Sequence, residues 1–178
     1  QEQKATMVLI FTMAGVPFVY YGDEIGMDYI PGLPSKEGGY IRTGARTPMQ
    51  WKAGKNHGFS DSDTPYLPTD AKTNAPTVEQ QLEDKDSLLN LVKELGKLRT
   101  ENPGFSDVAN FKVLEDGYPF VYERTVAGRK FLIALNPADR ECTITVPAVQ
   151  QIVVAHNVEM DNNLLRMGGI SCMVAEIV

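Results

Sequence analysis

The sequence predicts an α+β chain: a helix, a short apolar strand, a long irregular segment and a second helix up to about residue 104, then an antiparallel β-sandwich to residue 178. Three observations carry this. Residues 2–13 form an apolar run of helical length. A spacing of three and four recurs at Leu88, Leu91, Val92, Leu95 and Leu98. After Asn102-Pro103-Gly104 the pattern changes to short alternating segments divided by turn residues.

Taken in order, Glu2 to Met13 is helix-compatible and apolar on nearly all faces, as expected of a helix packed between other elements, and Gly15 stops it. Val16 to Tyr21 is a β-branched and aromatic run bounded by Gly15 and Gly22, the pattern of a strand buried on both faces. From Gly26 to roughly Thr77 there is little periodicity, and about fifty residues of loop point to function rather than mere connection. Its aromatics, Tyr29, Tyr40, Trp51, Phe59 and Tyr66, argue against disorder. The next helix takes Asp86 or Ser87 as N-cap, and Lys97 and Arg99 suit its C-terminal dipole. Strands are expected at 111–114, 120–125, 130–135, 141–146, 152–155 and 172–178, with turns at Glu115-Asp116-Gly117, Ala127-Gly128, Asn136-Pro137 and Gly168-Gly169. These divide the chain into 1–104 and 105–178. It begins at Gln1 without Met and opens directly on a buried helix, so a longer polypeptide is expected.

Composition excludes several classes. The net charge of −6 and 17 scattered Lys and Arg offer no stripe for a phosphate backbone, so nucleic acid is not an expected partner. The longest apolar run, Met7 to Met13, is broken by Thr12 and falls short of a bilayer span, so no membrane partner is expected either. Cys142 and Cys172 have no CxxC or His partner at metal spacing; buried free thiols are expected, with a disulfide open only if their strands are neighbours. Cysteine usage leaves the compartment open.

Among groups that could carry chemistry, Asp23 and Glu24 invite assignment as a glycosidase pair. Neighbours on an extended chain point to opposite sides, so they cannot flank one bond, and an orienting or structural role is the better reading. His57 and His156 fall in different predicted domains with no triad or zinc set around them, and Gly38-Gly39 and Gly168-Gly169 lack the spacing of a phosphate cradle. No cofactor or metal is expected. Trp51, Phe59, Tyr66 and the pair Tyr20-Tyr21 could stack on sugar rings, although a lone Trp is more often packed in a core. Arg46 could donate to sugar hydroxyls or pin a loop.

The segment Gly15-Val16-Pro17-Phe18-Val19-Tyr20-Tyr21-Gly22-Asp23-Glu24-Ile25-Gly26-Met27 resembles the eighth barrel strand of the α-amylase family of glycoside hydrolases. Arg46-Thr47-Pro48-Met49-Gln50-Trp51 followed by Gly58-Phe59-Ser60 resembles the loop after that strand in the oligo-1,6-glucosidase, α-glucosidase and trehalose synthase branch. Val78, Gln81, Asp84 and Ser87 to Arg99 resemble the last barrel helix, and Leu132 to Asn136 the C-terminal sandwich. The resemblance implies the last helix–strand–helix part of a (β/α)₈ barrel followed by a Greek-key sandwich. It also implies retaining chemistry on α-glucosides, hydrolytic or transglycosylating, in carbohydrate metabolism, with a cytoplasmic location favoured.

The family's nucleophilic Asp, acid/base Glu and stabilising Asp match nothing in this chain, which is therefore expected to be inactive alone. Arg46, with Tyr20 and Trp51, is expected to face substrate. Lys52 stands where relatives often carry Asp, reversing a charge near the entrance. A second expectation is a non-catalytic glucan-binding or structural module that docks with a separate N-terminal half, or self-associates through exposed barrel edges.

Overall fold

The computed structural model describes residues 2–36, 38 and 41–178, so Gln1, Glu37, Gly39 and Tyr40 lie outside the described residues. Helix α1 (Glu2–Thr12) opens the chain and buries Ala5, Met7, Val8 and Thr12. Its last turn carries no basic residue, and its end is completed from afar. Arg99 donates to the carbonyls of Phe11 (2.7 Å) and Met13 (3.1 Å) and to that of Gly15. The sequence assigns Arg99 to the dipole of its own helix; the structure uses it to satisfy the orphan carbonyls beyond another.

Val16 to Tyr20 forms no regular secondary structure, and Tyr21 already belongs to the turn that follows, so the expected strand is absent. Val16 is 74% and Phe18 89% exposed, the reverse of a doubly buried position. A strand exists only as a pairing, and this segment finds no ladder partner among the described residues. The irregular segment that follows holds only short 3₁₀ turns, at Thr43–Ala45 and Lys55–Gly58. A short helix α2 (Val78–Glu83), which the periodicity did not reveal, starts on the Thr77 hydroxyl, which accepts from the Gln80 N–H. Helix α3 (Leu88–Glu101) has Ser87 as its N-cap, the hydroxyl accepting from the Asn90 N–H at 3.1 Å.

Strands β1 (Phe111–Asp116), β2 (Phe120–Val126), β3 (Arg129–Asn136), β4 (Cys142–Thr145), β5 (Val149–Asp161) and β6 (Leu164–Ile177) are all antiparallel. They belong to one hydrogen-bonded, curled sheet in the order β1-β2-β3-β6-β4, with β5 also on β6. β6 is the hub: residues 171–177 pair β3, residues 164–167 pair β4, and both stretches pair β5. Gly168-Gly169 is therefore not a turn between strands but a kink within β6. A Cβ on Gly168 would lie 2.4 Å from the Asn157 side chain, and Ile170 has φ 52. Because β5 and β6 alternate through polar residues past Ala155, the sequence reads both strands too short.

One sheet face carries Val121, Leu132, Ala134, Leu165, Met167, Met173, Ala175 and Ile177 as a continuous core. On the other, Tyr122 meets Thr12 of α1 at 2.5 Å. The Thr12 hydroxyl already donates to the Val8 carbonyl (2.6 Å), so Tyr122 is the donor, and burial pushes its phenol up to about 12. Arg124 is buried on the same face without a carboxylate. Its guanidinium donates to the carbonyls of Thr12, Phe105, Asp107 and Asn110 at 2.5–3.0 Å and lies over the Phe105 ring. Cys142 and Cys172 are free thiols. Cys142 on β4 sits opposite Met167, and Cys172 on β6 lies opposite Leu135 and His156.

By its contacts the chain forms two units, residues 1–18 with 91–178, and residues 19–90. No helix of the described residues is long and apolar enough to cross a membrane.

Candidate functional site

The site lies in the unit formed by residues 19–90 and grows from the Arg46-to-Trp51 motif. Thr47, Pro48, Met49 and Gln50 are all buried. Gln50 is fixed at both ends: its side-chain amide donates to the Pro76 carbonyl (2.5 Å), and its own carbonyl accepts from the Val78 N–H (3.0 Å). The Trp51 carbonyl accepts from the Glu79 N–H at 2.9 Å. Four buried residues thus anchor the motif and leave its ends, Arg46 and Trp51, to face a cavity of about 430 Å³. Tyr21, Glu24, Pro48, Met49, Phe59, Tyr66 and Leu67 complete its lining.

Glycine at position 22 is required twice over. Its φ is 93, and a Cβ there would stand 2.7 Å from the Met27 sulfur. The turn it makes brings Asp23 and Glu24 into a 3₁₀ helix, not onto an extended strand. The Asp23 carboxylate accepts from the Tyr20 N–H (3.0 Å) and that of Glu24 from the Gly22 N–H (2.7 Å). Both acids hold this turn, as a structural reading requires, though by a different geometry from the one expected. Gln81 ties the turn to the helices: its amide donates to the Ile25 carbonyl (2.7 Å) and accepts from the Leu89 N–H (2.9 Å). The role of Gln81 is invisible in the sequence, because an amide that bridges backbone groups carries no periodic signal.

Arg46 and Trp51 share the cavity; Tyr20 is not in its lining and meets Tyr21 in a tilted pair, ring centroids 4.6 Å apart. Tyr21 is the tyrosine that enters the cavity, its hydroxyl donating to the Thr47 carbonyl at 3.1 Å. Burial, then the neighbouring Tyr20, raise its phenol above the ordinary value. Trp51 is 49% exposed and so serves as a wall rather than core packing. Lys52 is exposed, its stem lying against Gly58. Tyr66 is held by Lys36, whose ammonium donates to its carbonyl (2.5 Å) and lies 4.4 Å from its ring centroid.

Among the described residues Glu24 is the one carboxylate in the lining, and it is engaged with backbone, so these residues form no facing pair of acids there. No metal-binding group of three or more His, Cys, Asp or Glu occurs among the described residues. What the cavity offers is aromatic and apolar surface with one guanidinium, suited to holding a sugar ring.

Fold and sequence together point to one family. Residues 1–107 match the family described as "Alpha amylase, catalytic domain", and the chain belongs to the α-amylase family. It is 30% identical over 185 residues to a glucan 1,6-alpha-glucosidase of Streptococcus pneumoniae serotype 4, covering 88% of this chain and 34% of that protein. Against a probable oligo-1,6-glucosidase 2 of Bacillus subtilis strain 168 the identity is 31%, covering 81% and 31%. An amino acid transporter heavy chain, SLC3A1 of Homo sapiens, is 33% identical over 132 residues, covering 72% and 19%. The chain thus spans about a third or less of the length of these relatives. The isomaltulose synthase of Erwinia rhapontici NX5 shares the fold with a TM-score of 0.81 at 21% identity, over 98% of this chain and 38% of that one.

Proposed function

We propose that this chain is the C-terminal portion of a retaining glycosidase acting on α-glucosidic bonds of oligosaccharides, and that it is inactive by itself. The observation that carries this is a cavity with a sugar-sized aromatic wall and a cation but no facing carboxylates. The names of the bacterial relatives support the bond type. In this reading residues 1–104 close a (β/α)₈ barrel and 105–178 form its C-terminal domain, while the nucleophilic Asp, acid/base Glu and stabilising Asp come from sequence upstream.

Arg46 and Trp51 contact substrate, and Tyr20 acts one layer behind Tyr21. The alternative, a glucan-binding or docking module, draws on the exposed Val16 and Phe18 and on a relative named as a transporter heavy chain. The purified chain is expected to release no p-nitrophenol from p-nitrophenyl α-glucoside. Turnover that disappears in E24Q would overturn the account. Size-exclusion chromatography separates the alternatives: a monomer with glucan affinity is a module, whereas oligomers without affinity mark a portion of an enzyme.

A further inference from the structure

We infer that His57 is a positioning residue of this cavity, holding the wall of Trp51 and Phe59 at a fixed distance from the wall of Tyr66 and Leu67. The inference rests on the reading above for its ligand, but not for its geometry. His57 lies in a left-handed turn, with φ 48 at Asn56, 50 at His57 and 70 at Gly58. Successive positive φ values at residues with a Cβ persist only where their surroundings determine them.

Here the turn directs the His57 carbonyl to both the Trp51 N–H (2.9 Å) and the Lys52 N–H (3.1 Å), while the Phe59 N–H donates to the Asn56 carbonyl (3.0 Å). Both aromatics of one wall therefore hang from this turn. The imidazole reaches the other way, Nε2 lying 2.8 Å from the Asp70 carbonyl. A carbonyl only accepts, so Nε2 carries the proton; Nδ1 is buried and has no hydrogen-bond partner. The ring's polar capacity thus serves a single link, to the segment that leads back to Leu67 and Tyr66. That anchor is itself fixed, since Asp70 is buried and its carboxylate accepts from the Lys72 N–H at 2.9 Å. A left-handed position that served only to reverse the chain is better filled by Gly or Asn. Reach to the Asp70 carbonyl is what histidine adds.

The turn has other fastenings, so a variant of His57 leaves it folded: the Asn56 amide donates to the carbonyls of Ser60 and Ser62, and Lys55 to that of Asp61. Trp51 is the only tryptophan of the chain, so its fluorescence reads this wall alone. H57N keeps a residue that tolerates positive φ but shortens the side chain away from Asp70; H57Q returns a donor at the reach of Nε2. Loss of one hydrogen bond at a cavity wall corresponds to about threefold to tenfold weaker isomaltose binding by Trp51 fluorescence, with about twofold greater acrylamide quenching.

H57N is expected to show both changes at an unchanged urea midpoint by far-UV circular dichroism, and H57Q to recover most of each. Wild-type quenching in H57N, or identical behaviour of H57N and H57Q, overturns the inference. If the wild-type chain binds no isomaltose, the glucan-binding alternative loses its support, whereas the quenching comparison still decides the role of His57.

Discussion

Arg129 and Glu176 show how a charge works at the scale of one residue. The guanidinium meets both carboxylate oxygens, at 2.8 and 2.6 Å, and gives a third bond to the Asn102 side chain at 2.9 Å. The bond from Arg129 holds the Glu176 carboxyl below its ordinary range. A lowered carboxyl stabilises the fold above its unfolded pKa and loses that contribution as pH falls through the folded one. E176Q is therefore expected to lower stability at pH 7 by on the order of 1 kcal/mol, the upper end for a partly exposed pair. The deficit should vanish as acid protonates the wild-type carboxyl, which urea melts at several pH values would follow; a deficit constant with pH would refute the assignment. Asp23 and Glu24 belong to the same scale. Their chemistry is consumed by the backbone of one turn, a fate that only coordinates reveal because the sequence offers two adjacent acids and no sign of what they accept from.

At the scale of elements, Val16 to Tyr20 stands apart. A strand-like sequence lies with its aromatic and branched side chains exposed, and its backbone groups are not engaged in a sheet among the described residues. Such a segment is where the self-association proposed above would form. F18D, replacing a side chain that is 89% exposed, is expected to raise the monomer fraction in sedimentation velocity without altering the far-UV spectrum; unchanged association would place the contact elsewhere. This same segment marks what the sequence can express. Strand propensity was legible from residues 16–21, but pairing is a property of neighbours. Strands β1 to β4 were legible because alternation and turn residues bound them, and α3 because Ser87 and the leucine spacing agree. The ends of β5 and β6 were not, since their outer positions alternate between polar and apolar without a break at the true turn, Asn162-Asn163. In the site, Arg46 and Trp51 were legible from their motif, whereas Tyr21, Gln81 and His57 act through single contacts between distant segments.

For the molecule as a whole, the two units are unequally filled. Among the described residues, the buried apolar side chains within 19–90 are Ile25, Pro48, Met49, Ala75 and Leu88, while the sheet and the helices on it hold most of the remainder. Few buried apolar contacts mean low local stability. Limited tryptic digestion is accordingly expected to cut first after Lys36, Lys52, Lys55 or Lys72 and to leave the region from 91 onward intact, as read by mass spectrometry; first cuts within the sheet would contradict this. The sheet has its own asymmetry. Three strands of different sequence distance, β3, β4 and β5, all take β6 as partner, and β6 follows every one of them along the chain. During synthesis β1, β2 and β3 can pair as they emerge, but the inner edge of β3 and the whole of β4 and β5 must wait for residues 164–177 to leave the ribosome. Until then the nascent chain carries an open apolar edge, so translation of this final strand is the step that closes the window for misassembly.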